Sequence, residues 1–157
     1  FTIPTINRIY LWNRLQMESR LMLSPHFSLA ELISSETASR LALDNTPNYI
    51  ALANLAYLCA HVLEPAREEL HAPITVTSGY RSAAVNRAVH GVKNSYHLTG
   101  SAADLVCQDM PRLFKILAAN PYVDLLLFEH SQRSSWLHVQ ISRVPRNTTR
   151  YNYKVLC

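Results

Sequence analysis

Residues 74–106 read ITVTSGYRSAAVNRAVHGVKNSYHLTGSAADLV, and their texture decides the fold. Ile74-Thr75-Val76-Thr77 is short, β-branched and bounded by Gly79, the pattern of a buried strand. Ser82 to His90 predicts a short helix closed by Gly91, Lys93 to Gly100 a loop, and Ala102 to Val106 a second strand. All three glycines of the chain, Gly79, Gly91 and Gly100, fall in this stretch, as they would where backbone turns sharply or lies close to something. A functional site is expected there.

On the N-terminal side the pattern is helical. Ser28 with Glu31 three residues on forms a capping box, so a helix starts there, and a second short helix runs from Ser35 toward Leu41. Thr46-Pro47 predicts the start of a long core helix with an apolar face at Ala51, Leu55, Leu58, Val62 and Ala66. Pro65 inside that face predicts a kink near Leu63 to Glu64 before the helix ends around Leu70. On the C-terminal side Met110-Pro111 opens a helix that stops at Asn120-Pro121. Leu125 to Glu129 and Trp136 to Ile141 then read as an antiparallel hairpin. Helices followed by a small sheet with helices between its strands give an α+β fold, with the helices packed on one side of a small antiparallel sheet.

The whole chain has 157 residues, 48% hydrophobic and 17% charged, which is one domain's worth and too apolar for disorder. No apolar run nears the roughly 20 residues a membrane span needs. Phe1 to Arg14 lacks an unbroken secretory core, an expectation that leaves a cleaved leader open. Residues 1–24 read as an N-terminal extension, 25–142 as the domain and 143–157 as a basic tail. Five basic residues and no carboxylate lie between 131 and 157, which places the net charge of +4 at that end. The bland reading is a solvated tail, since no nucleic-acid-binding signature accompanies it and no nucleic-acid partner is expected. Cys59, Cys107 and Cys157 are too far apart for a metal knuckle.

Among seven histidines, His26, His61, His71 and His90 lack a useful partner in sequence. His97 differs. Asp104 follows it across Gly100 and the small residues Ser101, Ala102 and Ala103, and period-two alternation in Trp136-Leu137-His138-Val139-Gln140 turns Trp136, His138 and Gln140 to one face. If the two strands are neighbours, His97, Asp104 and His138 meet. Two imidazoles and a carboxylate are a common catalytic zinc set that leaves a fourth position open, though spacing alone leaves a purely structural reading standing.

The run Ser95-Tyr96-His97-Leu98-Thr99-Gly100-Ser101-Ala102-Ala103-Asp104 resembles the S-x-H-x-x-G-x-A-x-D signature of the zinc D-alanyl-D-alanine carboxypeptidase family. That family includes phage L-Ala-D-Glu endopeptidases and vancomycin-resistance dipeptidases. Ser78-Gly79-Tyr80-Arg81-Ser82 and Trp136-Leu137-His138-Val139 match in the right order, so the resemblance spans roughly residues 25–142. It implies a zinc peptidase acting on stem peptides of peptidoglycan in the bacterial periplasm or cell wall. One zinc ion would be held by His97, Asp104 and His138, with Arg81 reaching the substrate. Many members carry a glutamate three residues before the last ligand, where this chain has Ser135. The distantly related Hedgehog domain ends the preceding strand with an acidic residue, which assigns general acid/base work to Glu129. Ser95, Asn86 and Trp136 are further candidates for substrate contact or loop support. The Ser135 departure keeps a second reading open, a non-catalytic zinc module that binds peptidoglycan or a protein partner.

Overall fold

The computed structural model describes residues 20–142 and the backbone of 150–155. Residues 1–19 of the expected N-terminal extension, Cys157, and basic residues 143 and 146 lie outside them. A small hairpin of β1 (Met22–Ser24) and β2 (Phe27–Ser28) leads into α1 (Leu29–Ile33), capped where Ser28 Oγ accepts from the Glu31 amide at 3.2 Å. Only half the capping box forms, because the Glu31 carboxylate accepts instead from the Val76 amide, 3.3 Å away. Helix α2 (Glu36–Leu41) follows with Ser35 as its cap.

The long helix begins later than Thr46-Pro47 suggested. The chain stays extended around the proline, and Asn48 supplies the cap, its Oδ1 accepting from the Ala51 amide at 2.8 Å. Helix α3 (Tyr49–Leu58) widens into a π-helical turn (Cys59–Leu63) and continues as α4 (Glu64–Leu70). Pro65 explains the widening, since it has no N–H for the His61 carbonyl four residues back and its ring crowds that oxygen. Asn120 Nδ2 donates to the His61 carbonyl at 2.9 Å and so satisfies the group the proline leaves bare.

Next come β3 (Thr75–Ser78), α5 (Ala83–Ala88), a 3₁₀ turn (Tyr96–Thr99), β4 (Ala102–Val106), α6 (Met110–Ala119), β5 (Val123–His130), β6 (Ser135–Ile141) and β7 (Arg150–Val155). The sheet order is β3-β4-β6-β5-β7. Its first four strands pair antiparallel, and β7 adds to β5 in parallel. Part of the stretch expected as a basic tail is therefore a sheet edge. Helix α5 ends with the left-handed residue at His90 (φ 56°) and not at Gly91. Glycine is needed at 91 for another reason, because a Cβ there would strike the Asn86 side chain.

The fold is α+β. Leu105, Leu137, Val139 and Leu126 of the sheet form one buried cluster with Leu55, Leu58 and Val62 of the long helix and Leu113 and Leu117 of α6. Each such side chain contributes roughly 1.5–3 kcal/mol by leaving water. All the apolar side chains of β4 and β6 that enter this cluster sit on one sheet face, which leaves the other face free for polar groups. Among the described residues no helix is long and apolar enough to cross a membrane.

Candidate metal centre

Strands β4 and β6 are neighbours, and Asp104 stands opposite His138 in their register while Ser78 of β3 stands opposite Asp104. One rung of the sheet thus carries the carboxylate and one imidazole. The third group arrives on the 3₁₀ turn before β4. Ser95 Oγ caps that turn by accepting from the His97 amide at 3.3 Å, and Arg81 N donates to the His97 carbonyl at 3.0 Å. Gly100 ends the turn at φ 71°, and a Cβ there would meet the Ala51 carbonyl of α3, so both conformation and space demand glycine. The turn is pinned between helix and sheet, and His97 is only 2% exposed.

His97 Nδ1 lies 2.6 Å from the Gly79 carbonyl oxygen. A carbonyl can only accept, so Nδ1 carries a proton, and in the neutral ring Nε2 presents a lone pair. That Nε2 is buried with no hydrogen-bond partner, 3.4 Å from Asp104 Oδ1, another acceptor. Two acceptors facing each other out of water repel unless a cation lies between them. His138 Nδ1 sits 2.9 Å from the same Asp104 Oδ1, and the three ligand atoms all lie within 4.8 Å of one another. Two nitrogens and one carboxylate oxygen suit zinc, and the unpartnered Nε2 is the feature a metal would complete.

The electrostatics follow from the same contacts. Burial alone would raise the pKa of Asp104, but the hydrogen bond from His138 opposes it, and the carboxyl is held below its ordinary range. For His138, burial acts downward, yet the Asp104 carboxylate, the Gln140 oxygen and the charge of Glu129 outweigh it and raise the imidazole above its ordinary value.

The triad opens onto a cleft of about 650 Å³, whose walls include Arg81, Ser95, Glu129, Trp136 and Gln140. Glu129 faces Trp136 across the hairpin, and its Oε2 accepts from the indole N–H at 2.7 Å, which fixes the carboxylate on the cleft wall. Ser135 instead bonds His130 at 2.8 Å and lies off the cleft wall. Arg81 is more engaged than a residue waiting for substrate: Nε donates to Ser78 Oγ at 3.0 Å and Nη2 to Asp104 Oδ2 at 3.1 Å. Its fork braces the ligand carboxylate from outside. Asn86 is not on the cleft wall. Its Nδ2 donates to the Val92 carbonyl at 3.0 Å, so it shapes the loop that forms the rim.

Sequence reasoning gave no role to three contributors: the Gly79 carbonyl that orients His97, the Ser78 hydroxyl that holds Arg81, and Gln140, 3.0 Å from His138 Nε2. Gln140 alone had a usable signal, its place two residues beyond a ligand on the same strand face. His90, assigned no function from sequence, lines the cleft.

A family model described as Peptidase M15 matches residues 25–140, a span that takes in His97, Asp104, His138, Arg81 and Glu129. Comparison with curated proteins gives no match.

Proposed function

The chain belongs to the peptidase M15 family, and from that premise we propose that it is a zinc-dependent hydrolase of peptide bonds in peptidoglycan stem peptides, of carboxypeptidase or endopeptidase type. The observation that carries the reading is the buried, unpartnered Nε2 of His97, aimed at Asp104 and His138 in the floor of an open cleft. His97, Asp104 and His138 would hold one zinc ion, which when bound supplies Lewis acidity and lowers the pKa of water toward roughly 7.

The chain's own groups do the rest. Glu129, whose carboxylate accepts from the Trp136 indole on the cleft wall, would act as the general base that takes a proton from the attacking water and returns it to the leaving amine. Arg81 donates to Asp104 Oδ2 and so orients the carboxylate, and its position on the wall supports a further contact to a carbonyl or carboxylate of the substrate. Ser95 and Trp136 bound the space that the peptide would occupy, with Asn86 supporting the rim behind them. Such a substrate places the site of action in the bacterial periplasm or cell wall.

The test is zinc analysis together with turnover of purified muropeptides by wild type, His97→Ala, Asp104→Ala and Glu129→Gln. Stoichiometric zinc and turnover lost in all three variants are expected. A wild-type protein without zinc and without muropeptide cleavage would contradict the proposal. The position of Ser135, bonded to His130, favours as second reading a zinc module that binds without cleaving. It predicts bound zinc, no turnover, and ligand affinity unchanged by Glu129→Gln.

A further inference from the structure

Both imidazoles of the triad have one nitrogen directed at the ligand cluster and the other at an oxygen. For His97 that oxygen is the Gly79 carbonyl, which no substitution of a side chain can remove. For His138 it is Oε1 of Gln140, 3.0 Å from Nε2, on a side chain that is 9% exposed. Gln140 sits two residues beyond His138 on β6, so the pleat puts both on the cleft face. Its backbone pairs with Ala102 on one side and Leu125 on the other, which fixes its place in the interior of the sheet.

We propose that Gln140 is a positioning residue for the metal, selecting the His138 tautomer that coordinates through Nδ1. An amide oxygen lies 3.0 Å from Nε2 and can accept a proton there, so once a cation takes the place of the Nδ1 proton beside Asp104 Oδ1, the neutral ring would keep its one proton on Nε2. Without that acceptor both tautomers become accessible, and the ring is free to rotate its unprotonated nitrogen away from the carboxylate. The inference rests on the reading of His97, Asp104 and His138 as metal ligands, and it is independent of which bond the protein cleaves.

The experiment measures zinc affinity by competition with a chromophoric chelator for wild type, Gln140→Met and Gln140→Glu, all checked for native thermal melts. Gln140→Met keeps the bulk and loses the acceptor, and its affinity should fall roughly 10–100-fold. Gln140→Glu restores an accepting oxygen and should bind within about threefold of wild type, a rescue that a packing role would not give. In the zinc-loaded protein, nitrogen NMR of His138 should show the proton on Nε2 in wild type and Gln140→Glu. Wild-type affinity in Gln140→Met overturns the proposal, and so does equal weakness of both variants. Should Gln140→Met fail to fold, the NMR assignment decides alone, and a proton on Nδ1 in the zinc-loaded wild type overturns it. Affinity is read without turnover, so a peptidase reading that fails leaves this comparison intact, whereas wild-type protein that takes up no zinc overturns both.

Discussion

The two faces of strands β4 and β6 differ more than any two separate parts of the molecule. Leu105, Leu137 and Val139 point toward the helices and are fully buried among apolar neighbours. Asp104, His138 and Gln140, one residue away in each case, point into the cleft, where His138 contacts both Asp104 and Gln140 and Arg81 donates to Asp104. The first face supplies stability through area removed from water, and any side chain of similar shape would serve. The second holds buried charge that favours folding little until a cation joins it. Stability and function can therefore be changed separately within a single heptapeptide, Ser135–Ile141.

The hardest blow to the cleft face is loss of a ligand. His97→Ala, Asp104→Ala and His138→Ala should each abolish stoichiometric zinc, read by metal analysis after dialysis, and should abolish turnover while the far-ultraviolet spectrum stays native. Glu129→Gln divides that face further: zinc content should stay at the wild-type level while turnover falls roughly 10²–10⁴-fold. Retained turnover would remove Glu129 from the chemistry. On the opposite face Leu137→Ala should cost about 2–5 kcal/mol in denaturant titrations. Its zinc affinity, measured where the variant is still folded, should match wild type, and a parallel loss would show that the two faces are not separable.

Protons sharpen the contrast. The raised pKa of His138 means that the metal-free site gains stability from the protonated ring at low pH and loses it as pH climbs through that raised value. Zinc requires the unprotonated nitrogen, so it competes better as pH rises. The gap between zinc-loaded and metal-free melting temperatures should widen from about pH 5 to about pH 8. A constant or narrowing gap would contradict the assignment of His138 as a ligand. Least affected should be Ser28→Ala, remote from both faces, which removes the α1 cap for about 1 kcal/mol and leaves zinc affinity unchanged.

What the sequence disclosed depended on whether the controlling interaction was local. Alternation in Trp136 to Gln140 assigns faces because each residue's direction follows from its neighbours, and the hairpin and the Pro65 distortion were legible for the same reason. Gly91 misled as a helix terminator, because its smallness answers to the Asn86 side chain and the left-handed turn falls at His90. Asn48 displaced Thr46 as a cap because each is locally competent and the extended chain around Pro47 decides between them. At the site, the three candidate ligands could be picked out from spacing and motif, and the fold brings them together, while the bracing of Asp104 by Arg81 could not be read, since it requires β3 beside β4. Glu129 lay between: the hairpin brings it back near His138, but its hold on the Trp136 indole depends on register.

The proposed function stands on the unpartnered Nε2 of His97 belonging to a cation site shared with Asp104 and His138. A crystal structure of zinc-soaked protein, with diffraction recorded on both sides of the zinc absorption edge, tests it most directly. One anomalous peak bonded to His97 Nε2, Asp104 Oδ1 and His138 Nδ1 is expected. Full zinc loading with the peak elsewhere, or a triad that stays vacant at saturating zinc, would contradict it.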